Sequence, residues 1–339
     1  MQGIHSSMTT KNTSLLHKFN KQLVRSPLFY VGDKYKLISQ LLGIFPTDIK
    51  RFVEPFTGGG SVAMNVDADE YYLNDIDENI VNIHKLLERY ATNEKEFFDV
   101  VSSMIESYGL SRSYSSDIVP SILRAQWKKT YYARFNESSY RKLRDDYNSD
   151  IEKDAFKLYL LLIYGFNRMI RFNGQGNFNL PVGNVDFNKN VVQSLEAYFA
   201  WARKKKVLWN NLDYLEFLKT FKFKKGDFLY LDPPYLITFS EYNKIWDEKN
   251  ESEILMLLDR LDKKGVRFAI SNVTNYKGRV NLLFLEWSKK YQVHSIKSNY
   301  ISYHDNSIKE FKEVLVTNYD EIEVQTSAFY HNDEESGKT

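Results

Sequence analysis

An α/β fold, a mostly parallel sheet split by a long helical insertion, is predicted by three features. Residues 51–56 form a short apolar strand, followed by the glycine turn Thr57-Gly58-Gly59-Gly60-Ser61 and a helical start at Val62. That succession is the first piece of a nucleotide-binding α/β unit. From Asn79 to about Lys206 the strand pattern gives way to long helical stretches. The apolar and aromatic run Phe228-Leu229-Tyr230-Leu231 then stops at Asp232-Pro233-Pro234-Tyr235, and strand–helix alternation resumes.

Composition sets the bounds. The 339 residues suffice for one large domain or two, and 43% hydrophobic with 27% charged residues is ordinary for a globular protein. No run of about 18 apolar residues occurs, so no membrane helix is expected. The first twenty residues lack the apolar centre of a signal peptide. The chain has no cysteine, which excludes disulfides and thiolate metal sites and fits a cytoplasmic protein. No metal site is expected. A net charge of +2 argues for no particular partner. The basic run Arg203-Lys204-Lys205-Lys206 and the Arg-, Lys- and Tyr-rich stretch 122–144 read first as solvated surface.

Taken in order, residues 1–24 are polar and aperiodic and are expected to be loose. Residues 27–42 read as a turn at Gly32 leading into a helix, with Tyr30 and Lys34 facing the inside of the bend or Lys34 simply in water. Residues 70–74 are the second strand. Asp75 at its tip, about 20 residues after the glycines, suits ribose hydroxyls; the competing role is the N-cap of the next helix. Helices are predicted over 80–91, 94–107, 119–133, 137–147 and 152–165. The irregular stretch 167–183 combines arginines, side-chain amides, aromatics and glycines, side chains that suit base edges and phosphates; the plainer reading is a structural loop. Strands follow at 206–210, 228–231, 266–272, 292–298 and 313–319, with helices at 214–221, 250–263 and 279–290. Residues 238–247 read as a crossing segment, 299–312 as a polar hairpin tip, and 326–339 as a loose tail.

The chemistry centres on residues 232–235. Each proline fixes its own φ and removes an N–H, and Pro234 restrains Pro233. The result is a stiff corner at a strand's carboxyl end, holding one carboxylate, backbone carbonyls and a ring in fixed relation. An ordinary strand stop is the bland alternative. The absence of GxGxxG disfavours a dinucleotide oxidoreductase.

Taken together, Phe56 to Ser61 and Asp232 to Tyr235, in this order around a helical insert, resemble the Dam-like alpha group of DNA adenine N6-methyltransferases. Four further segments match that group: Tyr30-Val31-Gly32-Asp33-Lys34, Asn74-Asp75-Ile76, Arg171-Phe172-Asn173 with 176–183, and 313–319. The departures are Asp33 where a second glycine is usual, Asp77 where Asn is common, and Ser61 directly after Gly60. The resemblance spans roughly residues 25–320. It implies a Rossmann-like methyltransferase sheet with an antiparallel late strand, formed by 25–79 and 207–325, and a helical target-recognition domain at 80–206. It implies S-adenosylmethionine as cofactor, held by Tyr30, Lys34, Phe56, Gly58, Gly60, Asp75, Asp213 and Asp232. Lys34 would pair with the methionine carboxylate and Asp75 would accept from the ribose. Asp232, Pro233, Pro234 and Tyr235 would be catalytic. The Asp232 carboxylate and the Pro233 carbonyl would take the two amino hydrogens of a flipped-out adenine, with Tyr235 stacked on the base. Arg168, Arg171, Asn173, Gln175, Asn179 and Pro181 would meet double-stranded DNA, with GATC as the target and the 299–309 hairpin assisting. The protein is expected to act as a monomer, apart from any cognate restriction endonuclease. Methylation of RNA adenine or of cytosine amino groups, and DNA binding without catalysis, are the competing expectations.

Overall fold

The computed structural model describes residues 22–115, 119–238, 246–297 and 311–320. The strands are β1 (Ile49–Glu54), β2 (Ala68–Asn74), β3 (Lys206–Asn210), β4 (Asp227–Leu231), β5 (Arg267–Tyr276), β6 (Arg279–Val280), β7 (Gln292–Ile296) and β8 (Lys312–Thr317). They form one sheet in the order β3-β2-β1-β4-β5-β8-β7, with β6 paired to β5. Neighbours from β3 to β5 are parallel, whereas β8 runs antiparallel to both β5 and β7. The late antiparallel strand is therefore present as expected.

The helices are α1 (Ile38–Ile44), α2 (Ser61–Asn65), α3 (Glu78–Tyr90), α4 (Glu94–Tyr108), α5 (Ser121–Trp127), α6 (Tyr131–Ser149), α7 (Ala155–Tyr164), α8 (Lys189–Ala202), α9 (Tyr214–Thr220), α10 (Glu248–Asp262) and α11 (Leu282–Ser288). Helices α3 to α8 all fall between β2 and β3, which is the predicted insertion. No helix among the described residues is long and apolar enough to cross a membrane.

Alternation along the strands decides which side chain serves which layer. Phe52, Phe228 and Tyr230 pack on one face of the sheet with Leu37 and Leu41, while Val53, Leu229 and Leu231 pack on the other with helices α9, α10 and α11. All five residues of β4 are buried, as a central parallel strand covered on both faces requires. At the amino ends of β1 and β4 the Arg51 guanidinium donates to both oxygens of Asp227, at 2.7 and 2.5 Å. The insertion has its own core around α7, which buries every residue from Leu158 to Tyr164. Leu28, Phe29 and Tyr30 join that core, so the segment before β1 is held against the insertion.

Several expectations need correction. Residues 119–133 and 137–147 are not two helices parted near 135. The break falls at Lys128, whose φ is +50°, and α6 runs unbroken from Tyr131 to Ser149. Asn136, inside that helix, turns its amide to Ser111, accepting from its N–H at 2.8 Å, so it does not compete for the helix backbone. The helix predicted over 279–290 starts later, because Arg279 and Val280 pair back onto Asn275 and Tyr276, and Asn281 caps the helix through the Phe284 N–H. Val24 is not loose: its N–H and carbonyl both bond the Asn65 amide, at 3.0 and 2.7 Å. Most of the 238–247 crossing, most of the 299–312 tip and the tail lie outside the described residues.

One buried carboxylate joins three elements behind the sheet. Glu251 on α10 is fully buried. It accepts from the Asn272 amide on β5 at 2.8 Å, the Asn281 amide at 2.9 Å and the Trp246 indole at 2.8 Å. Trp246 in turn packs edge-on against Phe56, 5.8 Å between centroids. Glu251→Ala strands three buried donors, each worth about 1–3 kcal/mol when left unpaired. Urea unfolding should therefore show a loss of about 3 kcal/mol or more, and Glu251→Gln a smaller one.

Candidate active site

The strand order reverses between β1 and β4, and ligands of doubly wound sheets bind outside the carboxyl ends at such a point. A cavity of about 630 Å³ lies there, a size suited to a small molecule. Its wall takes in Tyr30 to Lys34, Glu54, Phe56 to Val62, Asp75 to Asp77, Met169, Asp232 to Tyr235 and Thr238.

The strand ends are tied together by side chains. The Asn74 amide donates to the carbonyls of Pro55 and Leu212, both at 3.0 Å, and its oxygen accepts from the Leu212 N–H at 3.0 Å. Thr57 donates from its hydroxyl to the Glu54 carbonyl at 2.9 Å. The glycine turn then passes between two rings. A Cβ at Gly59 would lie 3.2 Å from Tyr30, and one at Gly60, whose φ is +78°, would lie 3.1 Å from the His84 ring. His84 sits fully buried beneath the turn, with Nε2 2.9 Å from the Gly58 carbonyl and the ring stacked on Trp209 at 4.1 Å.

Asp75 holds the turn from the other side. It accepts from the N–H of Gly58 at 2.8 Å and of Asp77 at 2.9 Å. Burial pushes its carboxyl up to about 6 against the pull of those two donors. The N-cap role weighed for Asp75 belongs to Asp77, which accepts from the Asn79 N–H at 2.9 Å.

The corner after β4 faces the segment before α1. Lys34 Nζ lies 2.7 Å from Asp232 Oδ2 and 3.9 Å from Glu313 Oε1 on β8. The Tyr235 hydroxyl lies 2.8 Å from Asp232 Oδ1 and 3.1 Å from Glu313 Oε1. Lys34 also stands 5.2 Å from the Tyr235 ring centroid. Glu54 at the end of β1 is buried, and its Oε2 finds no hydrogen-bond partner among the described residues. Burial, then the nearby Asp232, Asp75 and Asp33, push the Glu54 carboxyl well above the usual range, with Lys34 opposing. Burial also raises Asp33. Among the described residues, five carboxylates, Asp33, Glu54, Asp75, Asp77 and Asp232, thus line the cavity with one cation, Lys34.

Of the residues the sequence singles out, Tyr30, Lys34, Phe56, Gly58, Gly60, Asp75 and Asp232 to Tyr235 come together here. Asp213 does not: it is exposed and caps α9, accepting from the Leu215 N–H at 2.8 Å. The 165–183 loop folds back on itself as a hairpin, bridged at Gly165–Val182 and Phe172–Phe178. Arg171 donates to the Asn179 side chain and carbonyl, each at 2.9 Å, and Asn173 accepts from the N–H groups of Gln175 and Asn177, each at 3.0 Å. Arg171, Asn173, Gln175 and Pro181 are exposed, and Pro181 accepts from the Phe166 N–H at 2.9 Å. Arg168 is instead laid over the Phe29 ring at 4.0 Å, and burial lowers it to about 10. The basic run at 203–206 is surface: Arg203 meets Glu94 at 3.3 Å, Lys205 meets Asp67 at 2.8 Å and Lys206 meets Glu70 at 2.7 Å.

Glu54, His84, Met169 and Glu313 escaped the sequence reading as site residues. Glu54 carried a usable signal, an acid at a strand end three residues before the glycine turn. The others have no spacing that links them to the corner.

Fold and cavity define a Rossmann-like α/β protein of methyltransferase type. The model of the D12 class N6 adenine-specific DNA methyltransferases matches residues 30–302, and the chain belongs to that family. It is 35% identical to the type II methyltransferase M.FokI of Planomicrobium okeanokoites over 89% of this chain and 44% of that protein. It is 31% identical to the modification methylase StsI of Streptococcus sanguinis over 88% of this chain and 44% of that protein. A DNA adenine methylase of Haemophilus influenzae is 28% identical over 64% of this chain and 65% of that protein. The chain thus spans less than half the length of the first two relatives.

His84 supplies a pH test of the support beneath the turn. Burial lowers its pKa to about 4 from 6.5, so the native state holds it neutral while the unfolded chain takes up a proton. Stability should be fully present above pH about 6.5 and fall as the pH drops towards 4. Urea titrations across that window should show the slope, and His84→Gln should flatten it.

Proposed function

We propose that the chain transfers a methyl group from S-adenosylmethionine to the N6 amino group of an adenine flipped out of double-stranded DNA. The observation that carries this is the meeting of the Asp232-Pro233-Pro234-Tyr235 corner with the glycine turn in one carboxylate-rich cavity. S-adenosylmethionine bears one more positive than negative charge, which suits five carboxylates facing one lysine. The buried Glu54 Oε2 would take the ammonium group. Asp75 would hold the ribose, with the turn from Phe56 to Gly60 beneath. When bound, this cofactor supplies an electrophilic methyl group.

The protein's part is positioning and electrostatics. An adenine amino group is a poor nucleophile because its lone pair is drawn into the ring. Asp232 and the Pro233 carbonyl take its hydrogens and make the nitrogen more pyramidal. Extrusion from the duplex brings the base to the corner, and the Tyr235 ring stacks on it. The helical insertion, residues 80–206, grips the DNA, with Arg171, Asn173 and Gln175 towards the bases. Lys34 keeps Asp232 with one ammonium hydrogen and takes the cofactor's carboxylate with another. The role follows the modification methylases: protection of a short site, against a restriction endonuclease acting separately.

Asp232→Ala should lower the single-turnover methylation rate about a hundredfold or more, while DNA binding survives on phosphate contacts. A mutant near full rate sinks the assignment. Asp75 tests the cofactor half. With its carboxyl at about 6, cofactor affinity measured by calorimetry should weaken as the pH falls through 6, because the ionised form is the ribose acceptor. Asp75→Asn should abolish that pH dependence. Mapping methylated bases on plasmid DNA tests the target: adenine N6 is expected, with GATC the first sequence to assay, and methylation of RNA or cytosine alone would overturn the proposal.

A further inference from the structure

Tyr235 enters the account so far as a ring, yet its hydroxyl bridges two carboxylates. Asp232 Oδ1 lies 2.8 Å away and faces the cavity; Glu313 Oε1 lies 3.1 Å away and is not part of the cavity wall. The Glu313 side chain is 2% exposed and that of Asp232 18%. Burial, then Asp232 and Glu313, raise the Tyr235 phenol well above its ordinary range, so the hydroxyl keeps a proton to donate.

The proposed reaction leaves one proton to place. As the amino nitrogen bonds the methyl carbon, the bond from that carbon to sulfur breaks with its electron pair on sulfur. The nitrogen must then lose a proton, and the N–H pair returns to the nitrogen. We propose that Glu313 is the final acceptor of that proton, reached through the Tyr235 hydroxyl. The proton passes from nitrogen to Asp232 Oδ1. It moves on to Tyr235 Oη as Tyr235 gives its own proton to Glu313 Oε1. Asp232 ends ionised beside Lys34, Tyr235 ends neutral, and Glu313 ends as the neutral acid. No further reactant is consumed.

Geometry favours Glu313 as the terminus. Lys34 stands at 2.7 Å from Asp232 but at 3.9 Å from Glu313, so a proton left on Asp232 would undo the closer charge pair. Glu313 is also the more buried, where a neutral acid avoids the desolvation of a charge. Among the described residues, the groups facing it include Lys34 before α1, Tyr230 on β4, and Asp232 and Tyr235 at the corner. Glu313 never touches the base in this scheme, so it is a positioning and proton-accepting residue that acts through Tyr235.

The inference rests on the function proposed above, and the test separates the two. Glu313→Gln keeps the size and an acceptor oxygen but cannot take the proton. Its single-turnover rate should fall about a hundredfold, the scale of a lost proton acceptor, with cofactor and DNA affinities within about twofold of the parent's. The parent's rate should fall at low pH as the acceptor becomes protonated, and Glu313→Gln should lose that component of the fall. Tyr235→Phe should fall comparably, and the double variant should be no slower than either single one, as expected of one chain of transfer. Glu313→Asp should recover part of the loss. Independently of turnover, infrared spectra of the cofactor-free protein should show a carboxylic-acid band on acidification that Glu313→Gln removes and Tyr235→Phe shifts. Parent-like rates and pH profile in Glu313→Gln, additive losses in the double variant, or an unchanged infrared band would each overturn the relay. A parent protein that methylates no DNA adenine would instead overturn the function on which it rests.

Discussion

The site depends on one buried lysine. Carboxylates from β1, the β2 tip, the β4 corner and β8 converge within one region, and burial pushes those of Glu54 and Asp75 towards the neutral form. Lys34 is the cation that meets them, in direct contact with Asp232 at 2.7 Å and opposing the upward push on Glu54. A buried ion pair adds little to stability by itself, because desolvation offsets the attraction. Its worth here is placement. It fixes the segment before α1 against the end of β4, two pieces of chain nearly 200 residues apart, and so closes the cavity on a side that the sheet leaves open.

Rigidity around that pair comes from polar side chains that finish the strands. Asn74 bonds the backbone beyond both neighbouring strands, Thr57 folds the turn onto the end of β1, and His84 lies under the glycines. Each satisfies backbone groups that would otherwise be buried without partners. The cavity floor is accordingly built from groups with no spare freedom, which is what a reaction governed by positioning requires. Glu251 extends the same logic behind the sheet, since its grip on Trp246 sets the ring against which Phe56 packs.

Much of this was legible in the sequence because it rests on local signals. The glycine turn, the Asp-Pro-Pro-Tyr corner and the apolar strands are contiguous, and their order in the chain placed the sheet and the insertion correctly. What escaped depends on contacts between distant segments. Nothing near Glu313 indicates that it meets Tyr235, and nothing near His84 indicates a glycine turn above it. Asp213 failed in the opposite way: an Asp before a helix was assigned to the cavity by resemblance, while its local signal, an N-cap, was the one the structure followed. The helix break at Lys128 was missed because it comes from backbone geometry at a residue type that gives no warning.

The 165–183 hairpin is braced from within, and the DNA contact proposed for it builds on that bracing. Arg171 and Asn173 brace the loop, as a structural role demands, but bracing does not exhaust them. Arginine has five donors, and the Nε and Nη2 bonds to Asn179 leave others on an exposed side chain. Asn173 uses its oxygen on the loop backbone, and its amide nitrogen is not part of those bonds. A loop that fixes half of each polar group internally presents the other half in a set orientation, as the proposed reading of base edges needs. Arg168 lies outside this logic. Laid over Phe29 and partly desolvated, it ties the start of the hairpin to the segment that carries Tyr30 and Lys34. The hairpin and the Tyr30–Lys34 side of the cavity are therefore in contact through one stacked arginine.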